Sequence, residues 1–178
     1  MCSSDLVMSY WNPIEQYGVA RFADELSAAG GHGVITPDLT PEEADDWIAA
    51  TDARGLDRIF LVAPSSTDAR IAAVADTTSG WLYAASVMGV TGARASVNSA
   101  APALVDRARA LTDLPISVGL GVSTGDQAAE IAQYADGVIV GSAFVRRILQ
   151  APDQAAAVAA VAELARELAA GVRNRATT

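Results

Sequence analysis

The chain has 178 residues, 51% of them hydrophobic and only 6% aromatic, enough for one substantial core. Its net charge is −9 and all 12 basic residues are arginines scattered through helix-like stretches, which excludes an electrostatic footprint for nucleic acid. The single cysteine, Cys2, excludes an intrachain disulfide framework and a cysteine-based zinc site, and without a membrane-length apolar run or a signal-peptide pattern the expectation is a soluble cytoplasmic chain.

Taken in order, the chain predicts strand, helix, strand, helix. Strands are expected at positions 6–10, 33–37, 59–63, 81–85, 116–120 and 138–140. These runs are apolar without alternation, as in strands of a parallel sheet covered on both faces. Helices are expected between them at 19–29, 41–53, 67–77, 100–111, 126–134 and 143–149, with a last one at 154–171. The start at Thr40-Pro41-Glu42-Glu43 carries the clearest signal, an N-cap threonine with proline at N1 and glutamate at N3. Val158, Val161, Leu164 and Leu168 lay an apolar stripe along the last helix. His32, the one histidine, lies in Gly30-Gly31-His32-Gly33 and reads as a surface turn.

The segment from Pro115 to Phe144 concentrates the chemistry. Two successive units each run from an apolar strand through glycine straight into a helix start: Gly119-Leu120-Gly121 leading to Ser123, and Gly141-Ser142 leading to Ala143. Ser123 is expected as N-cap, with Asp126 completing a capping box. Two such turns aim free backbone N–H groups and the positive ends of two helix dipoles at one place, which predicts a phosphate site. In eight-stranded βα barrels that site is commonly built by the loops after strands seven and eight. One glycine-rich βα turn alone is ordinary α/β structure; the succession of two carries the argument.

The fold class expected is α/β, a TIM (β/α)8-type barrel lacking its first two βα units, with six parallel strands. Such a barrel takes about 250 residues, and two units of about 30 residues account for most of the difference. Residues 1–5 carry no pattern belonging to the fold and are expected as a stub, 6–173 as the partial barrel and 174–178 as a frayed tail.

Longer motifs add a resemblance. Tyr10-Trp11-Asn12-Pro13-Ile14 through Tyr17-Gly18, Pro37-Asp38-Leu39-Thr40-Pro41-Glu42-Glu43, Tyr83-Ala84-Ala85-Ser86 through Gly92, and the two glycine turns together resemble the α subunit of tryptophan synthase, from Leu6 to the C-terminal helix. The resemblance implies a lyase of tryptophan biosynthesis that cleaves indole-3-glycerol phosphate to indole and glyceraldehyde 3-phosphate by a retro-aldol step. It implies no cofactor in this chain, and a partner β subunit, carrying pyridoxal phosphate, in an α2β2 assembly.

Residue by residue, it implies that Tyr83 lies near the indole and the reacting carbon. Gly92, Gly119, Gly121, Gly141 and Ser142 hold the phosphate, with Thr91 on a lid at 87–99 that closes over substrate. Met8, Ile35, Leu61 and Leu120 line the indole pocket, though as strand residues they read equally as barrel core. Asn12, Pro13, Asp38 and Leu39 belong to the face meeting the β subunit; Asn12-Pro13 also reads as a helix start with an asparagine cap, proline at N1 and Glu15 completing a box.

The departure from the family lies in proton transfer. The two carboxylates the family uses as acid and base lie on the second strand and in the loop after it, a part with no counterpart after Leu6. The expectation is a chain inactive by itself. Two alternatives stay open: a non-catalytic fragment that binds phosphate or the partner, and another phosphate-binding barrel such as a phosphosugar isomerase or epimerase.

Overall fold

The computed structural model describes residues 6–85, 100–119 and 121–174. Seven strand segments and eight α-helices follow one another along these residues. The described residues group into two compact units, one formed by 6–62, 66–83 and 108–115, the other by 63–65, 84–85, 100–107, 116–119 and 121–174. No helix among the described residues is long and apolar enough to cross a membrane.

The first unit is built on a parallel three-stranded sheet of β1 (Leu6–Met8), β2 (Gly33–Ile35) and β3 (Asp57–Ile59). Met8, Ile35 and Ile59 stand side by side at the C-terminal ends of the strands. The ladder runs one residue further, since Ser9 N–H donates to the Ile35 carbonyl and Thr36 N–H to that of Ile59. Around the sheet lie α1 (Trp11–Tyr17), α2 (Val19–Ala28), α3 (Asp45–Asp52) and α4 (Asp68–Thr77). Val34, Ile59, Phe60, Ile71 and Trp47 are buried in its core. Trp47 meets Trp11 edge-on at 5.8 Å and Phe22 at 6.2 Å between ring centroids, a preferred aromatic geometry.

Several expected elements differ in detail for local physical reasons. The strand expected at 59–63 is two segments, β3 and β4 (Leu61–Val62), flanking Phe60. The helix expected at 41–53 is a short 3-10 turn, Pro41–Glu43, followed by α3, with the buried Ala44 leaving helical geometry between them at φ −102° and ψ 7°. Thr40 stands at the N-cap of that turn, where its hydroxyl bonds the Glu43 carboxylate at 3.3 Å instead of a backbone N–H. The strand expected at 6–10 ends at Met8, because α1 starts at Trp11. Asn12 and Pro13 therefore sit inside the first turn of α1, not at a cap and N1. The capping group comes from far along the chain: Trp11 N–H donates to both carboxylate oxygens of Asp38, at 2.9 and 3.1 Å.

The second unit holds β6 (Ile116–Gly119) and β7 (Gly137–Ile139), paired in parallel with Gly119 opposite Ile139. Asp136 fixes the entry to both strands. Its carboxylate accepts the Ile116 N–H and its own N–H donates to the Ile116 carbonyl, both at 2.9 Å. The helices α6 (Gly125–Ile131), α7 (Ser142–Gln150) and the alanine-rich α8 (Gln154–Arg173) complete the unit, α8 lying along both α6 and α7. Asp153 caps α8 by accepting the Ala156 N–H at 2.8 Å. Only part of the expected apolar stripe on α8 is covered: Leu164 and Leu168 are buried, but Val158 is 63% exposed. The remaining elements are β5 (Leu82–Ala85) and α5 (Ala100–Arg109). His32 is exposed, in agreement with the surface turn.

Candidate functional site

The parallel register of β6 and β7 sends both strands out of the same sheet end, and each passes within a few residues into a helix. Gly119 is buried at the end of β6, and Gly121 turns the chain with φ +65°, a conformation that favours glycine. Leu120 between them lies outside the described residues. Beyond β7, Gly141 stands at the N-cap of α7 and Ser142 is its first residue. Gly119, Gly121, Gly141 and Ser142 thus belong to two neighbouring turns, as the sequence predicts.

The amides of those turns are not equally available. The N-cap of α6 is Thr124, one residue beyond the expected Ser123, and its hydroxyl accepts the Gln127 N–H at 3.3 Å. Gln127 reaches back in turn, accepting the Ser123 N–H at 2.8 Å. The box is therefore threonine to glutamine, and Asp126 has no part in it. A carboxylate from α8 takes the next amide: Gly125 N–H donates to Glu167 at 2.7 Å. By contrast α7 has no side-chain cap, so the N–H groups of Ser142 and Ala143 have no intrahelical acceptor and point outward at the positive end of the helix. The turn after β7 is therefore the one whose helix start has no side-chain cap. No basic side chain lies in either turn.

Tyr83, Met8, Ile35, Leu61, Asn12, Pro13, Asp38 and Leu39 lie in the first unit. Tyr83 is 8% exposed on β5, its ring 6.0 Å from that of Trp81. Burial raises its phenol above the ordinary tyrosine value, so the group is neutral and able to donate at physiological pH. A folded pKa above the unfolded one means stability is undiminished below about pH 10 and falls as pH rises through the folded value. Tyr17 also titrates late, through its hydrogen bond to Glu25. In an absorbance titration, Tyr83→Phe should therefore remove one phenolate from the late part of the curve; loss of an early one would place Tyr83 in solvent.

Ile35 is buried and Leu61 half-buried, while Met8, beside Ile35 in the sheet, is 52% exposed. Asn12, Pro13 and Asp38 come together at one exposed surface through the Asp38–Trp11 bond. Leu39 differs, being buried at 6% exposure, so its side chain anchors the loop that carries Asp38. Thr91, Gly92 and the lid at 87–99 lie outside the described residues. Among the described residues no cluster of histidine, cysteine, aspartate and glutamate could hold a metal ion.

Asp38 and Asp136 both hold backbone amides. Asp38 caps α1, and Asp136 sits at the entry to β7, at the opposite end of the strands from the glycine turns. Glu167 and the Asp38 cap are the contacts sequence reasoning missed. Each joins positions far apart in the chain, and no local signal marks them.

Residues 5–173 match the family model described as "Tryptophan synthase alpha chain". The tryptophan synthase alpha chain of Acidothermus cellulolyticus is 61% identical over 173 residues, covering 97% of this chain and 64% of the relative. That of Thermobifida fusca is 63% identical over 171 residues, covering 94% and 63%. Among solved structures, Mycobacterium tuberculosis tryptophan synthase superposes with a TM-score of 0.86 at 56% identity, over 94% of this chain and 62% of that one. The tryptophan synthase α2β2 complex of Pyrococcus furiosus gives a TM-score of 0.82 at 32% identity, over 93% and 66%. The chain thus spans a little under two thirds of the length of the first two relatives.

Proposed function

The chain belongs to the tryptophan synthase alpha chain family, and from that membership we propose that it provides the phosphate-binding part of a lyase that splits indole-3-glycerol phosphate into indole and glyceraldehyde 3-phosphate. The observation that carries the reading is the pair of glycine turns on β6 and β7, one ending at the uncapped N-terminus of α7. Gly121, Gly141, Ser142 and Ala143 hold the phosphate by backbone N–H groups, assisted by Gly119 and by Thr91 and Gly92. Tyr83, with its neutral phenol, lies toward the indole and the reacting carbon, and Met8, Ile35 and Leu61 supply apolar surface for the ring.

The retro-aldol step needs one proton delivered to the indole ring and another taken from the glycerol hydroxyl. The carboxylates of Asp38 and Asp136 are engaged in holding backbone amides, so other groups would carry these protons. The chain itself uses no cofactor. Its partner is a β subunit bearing pyridoxal phosphate, met through Asn12, Pro13 and Asp38 with Leu39 packing beneath them, in an α2β2 assembly in the cytoplasm. A second reading, a chain that binds phosphate or partner without catalysis, is favoured by the same engagement of both aspartates.

Titration with inorganic phosphate, followed by backbone amide resonances, tests the binding role. Shifts are expected at Gly121 to Ser123 and Ser142 to Ala143, larger in the second set because the amides of Ser123, Gly125 and Gln127 already have acceptors. Shifts that spare both turns and gather at exposed arginines would overturn the reading.

A further inference from the structure

We propose that Glu167, on the last helix, is a positioning residue for phosphate binding, holding the turn after β6 in its anion-binding shape; the inference rests on the phosphate reading above. Glu167 lies two turns before the end of α8, on the side that faces the start of α6. Its carboxylate accepts the Gly125 N–H at 2.7 Å, and Gly125 is the first residue of α6, four positions after Gly121.

Backbone packing reinforces that bond. A Cβ at Gly125 would come within 2.9 Å of the Glu167 carbonyl oxygen, and a Cβ at Gly171, one helical turn after Glu167, within 2.1 Å of the Gly125 carbonyl oxygen. Residues 167 and 171 thus grip the α6 start from one face of α8. From that fixed point the turn is tied back residue by residue, Thr124 to Gln127 and Gln127 to Ser123. Gly121, half-buried and at φ +65°, is then the part of the loop left to meet an anion, with Val122 buried behind it. Thr124 and Gln127 brace the loop from within; Glu167 supplies the brace from outside α6.

The sign of the effect separates positioning from electrostatics. Glu167 is an anion near an anion site, so removing its charge should by Coulomb's law tighten phosphate binding slightly. Positioning requires the opposite when the acceptor is removed. With inorganic phosphate as probe and the same amide resonances as readout, Glu167→Ala should weaken binding by about 3- to 10-fold, comparable to the loss of one hydrogen-bonded support. Glu167→Gln keeps an acceptor oxygen and should bind phosphate as well as the unaltered chain or better. Glu167→Asp keeps the charge, is one methylene shorter, and should fall between them; it serves if the alanine variant does not fold.

Unchanged or tighter binding in both Glu167→Ala and Glu167→Asp, with the Gly125 amide resonance shifted as the lost bond requires, would overturn the inference and leave the phosphate reading standing. An unaltered chain whose two glycine turns do not respond to phosphate would overturn both. A role limited to stability would lower the melting temperature of Glu167→Ala without changing phosphate affinity below the transition, and that result also counts against positioning.

Discussion

Residues 1–178 by themselves should release no detectable indole from indole-3-glycerol phosphate while still binding inorganic phosphate at the turns after β6 and β7. The two abilities rest on different parts of the architecture. The proposed anion binding would use backbone N–H groups at the C-terminal ends of two neighbouring parallel strands, all within one compact unit. Proton transfer uses side-chain carboxylates, and the two aspartates nearest to the motifs are engaged in other bonds, Asp38 at the start of α1 and Asp136 at the entry to β6. Removing a general acid or base typically costs about 10²–10⁴-fold in rate, so a chain in which neither aspartate takes that role would turn over below ordinary detection. Co-expression with the part of the Acidothermus cellulolyticus alpha chain that this chain does not match should restore indole release. Indole formation by residues 1–178 without that supplement, unaffected by Tyr83→Phe, would mean that the chemistry is carried by groups not named here.

Much of this arrangement is legible in the amino-acid order because its signals are local. The strand–glycine–helix succession at Gly119–Ser123 and Gly141–Ala143 survives in the structure within a residue or two, since glycine placement and apolar runs depend on near neighbours. Family-length motifs carry the rest of the fold, including the β strand under Tyr83. What the sequence conceals is which polar group meets which amide. Ser123 and Thr124 are equivalent as capping residues by type, and only the geometry of the α6 start selects Thr124, with Gln127 turning back to Ser123. Trp11 shows no cap in its own vicinity because Asp38, 27 positions away, provides it. Val158 fits the helical stripe, yet α8 presents it to solvent, since periodicity identifies a face without saying how far the covering layer extends.

Gly171→Ala sets local propensity directly against packing, and packing should win. By propensity alone, replacing a helical glycine with alanine gains up to about 1 kcal/mol, less near a helix end, and α8 stops two residues later at Arg173. The new Cβ, however, would lie 2.1 Å from the Gly125 carbonyl oxygen and 2.8 Å from its carbonyl carbon. Both are backbone atoms held at the start of α6, and no flexible side chain is present there to swing away. The helices must separate, and overpacking of this kind costs about 1–3 kcal/mol or more. The net expectation is a loss of about 2 kcal/mol, read as a fall of roughly 4–8 °C in Tm for a chain of this length. The displacement should also break the Gly125–Glu167 bond, so hydrogen exchange at the Gly125 amide should accelerate in Gly171→Ala beyond what the Tm change alone produces. An unchanged or higher Tm would mean that α8 gives way without resistance, and the close backbone crossing of α6 and α8 would then not be what holds the turn after β6 in place.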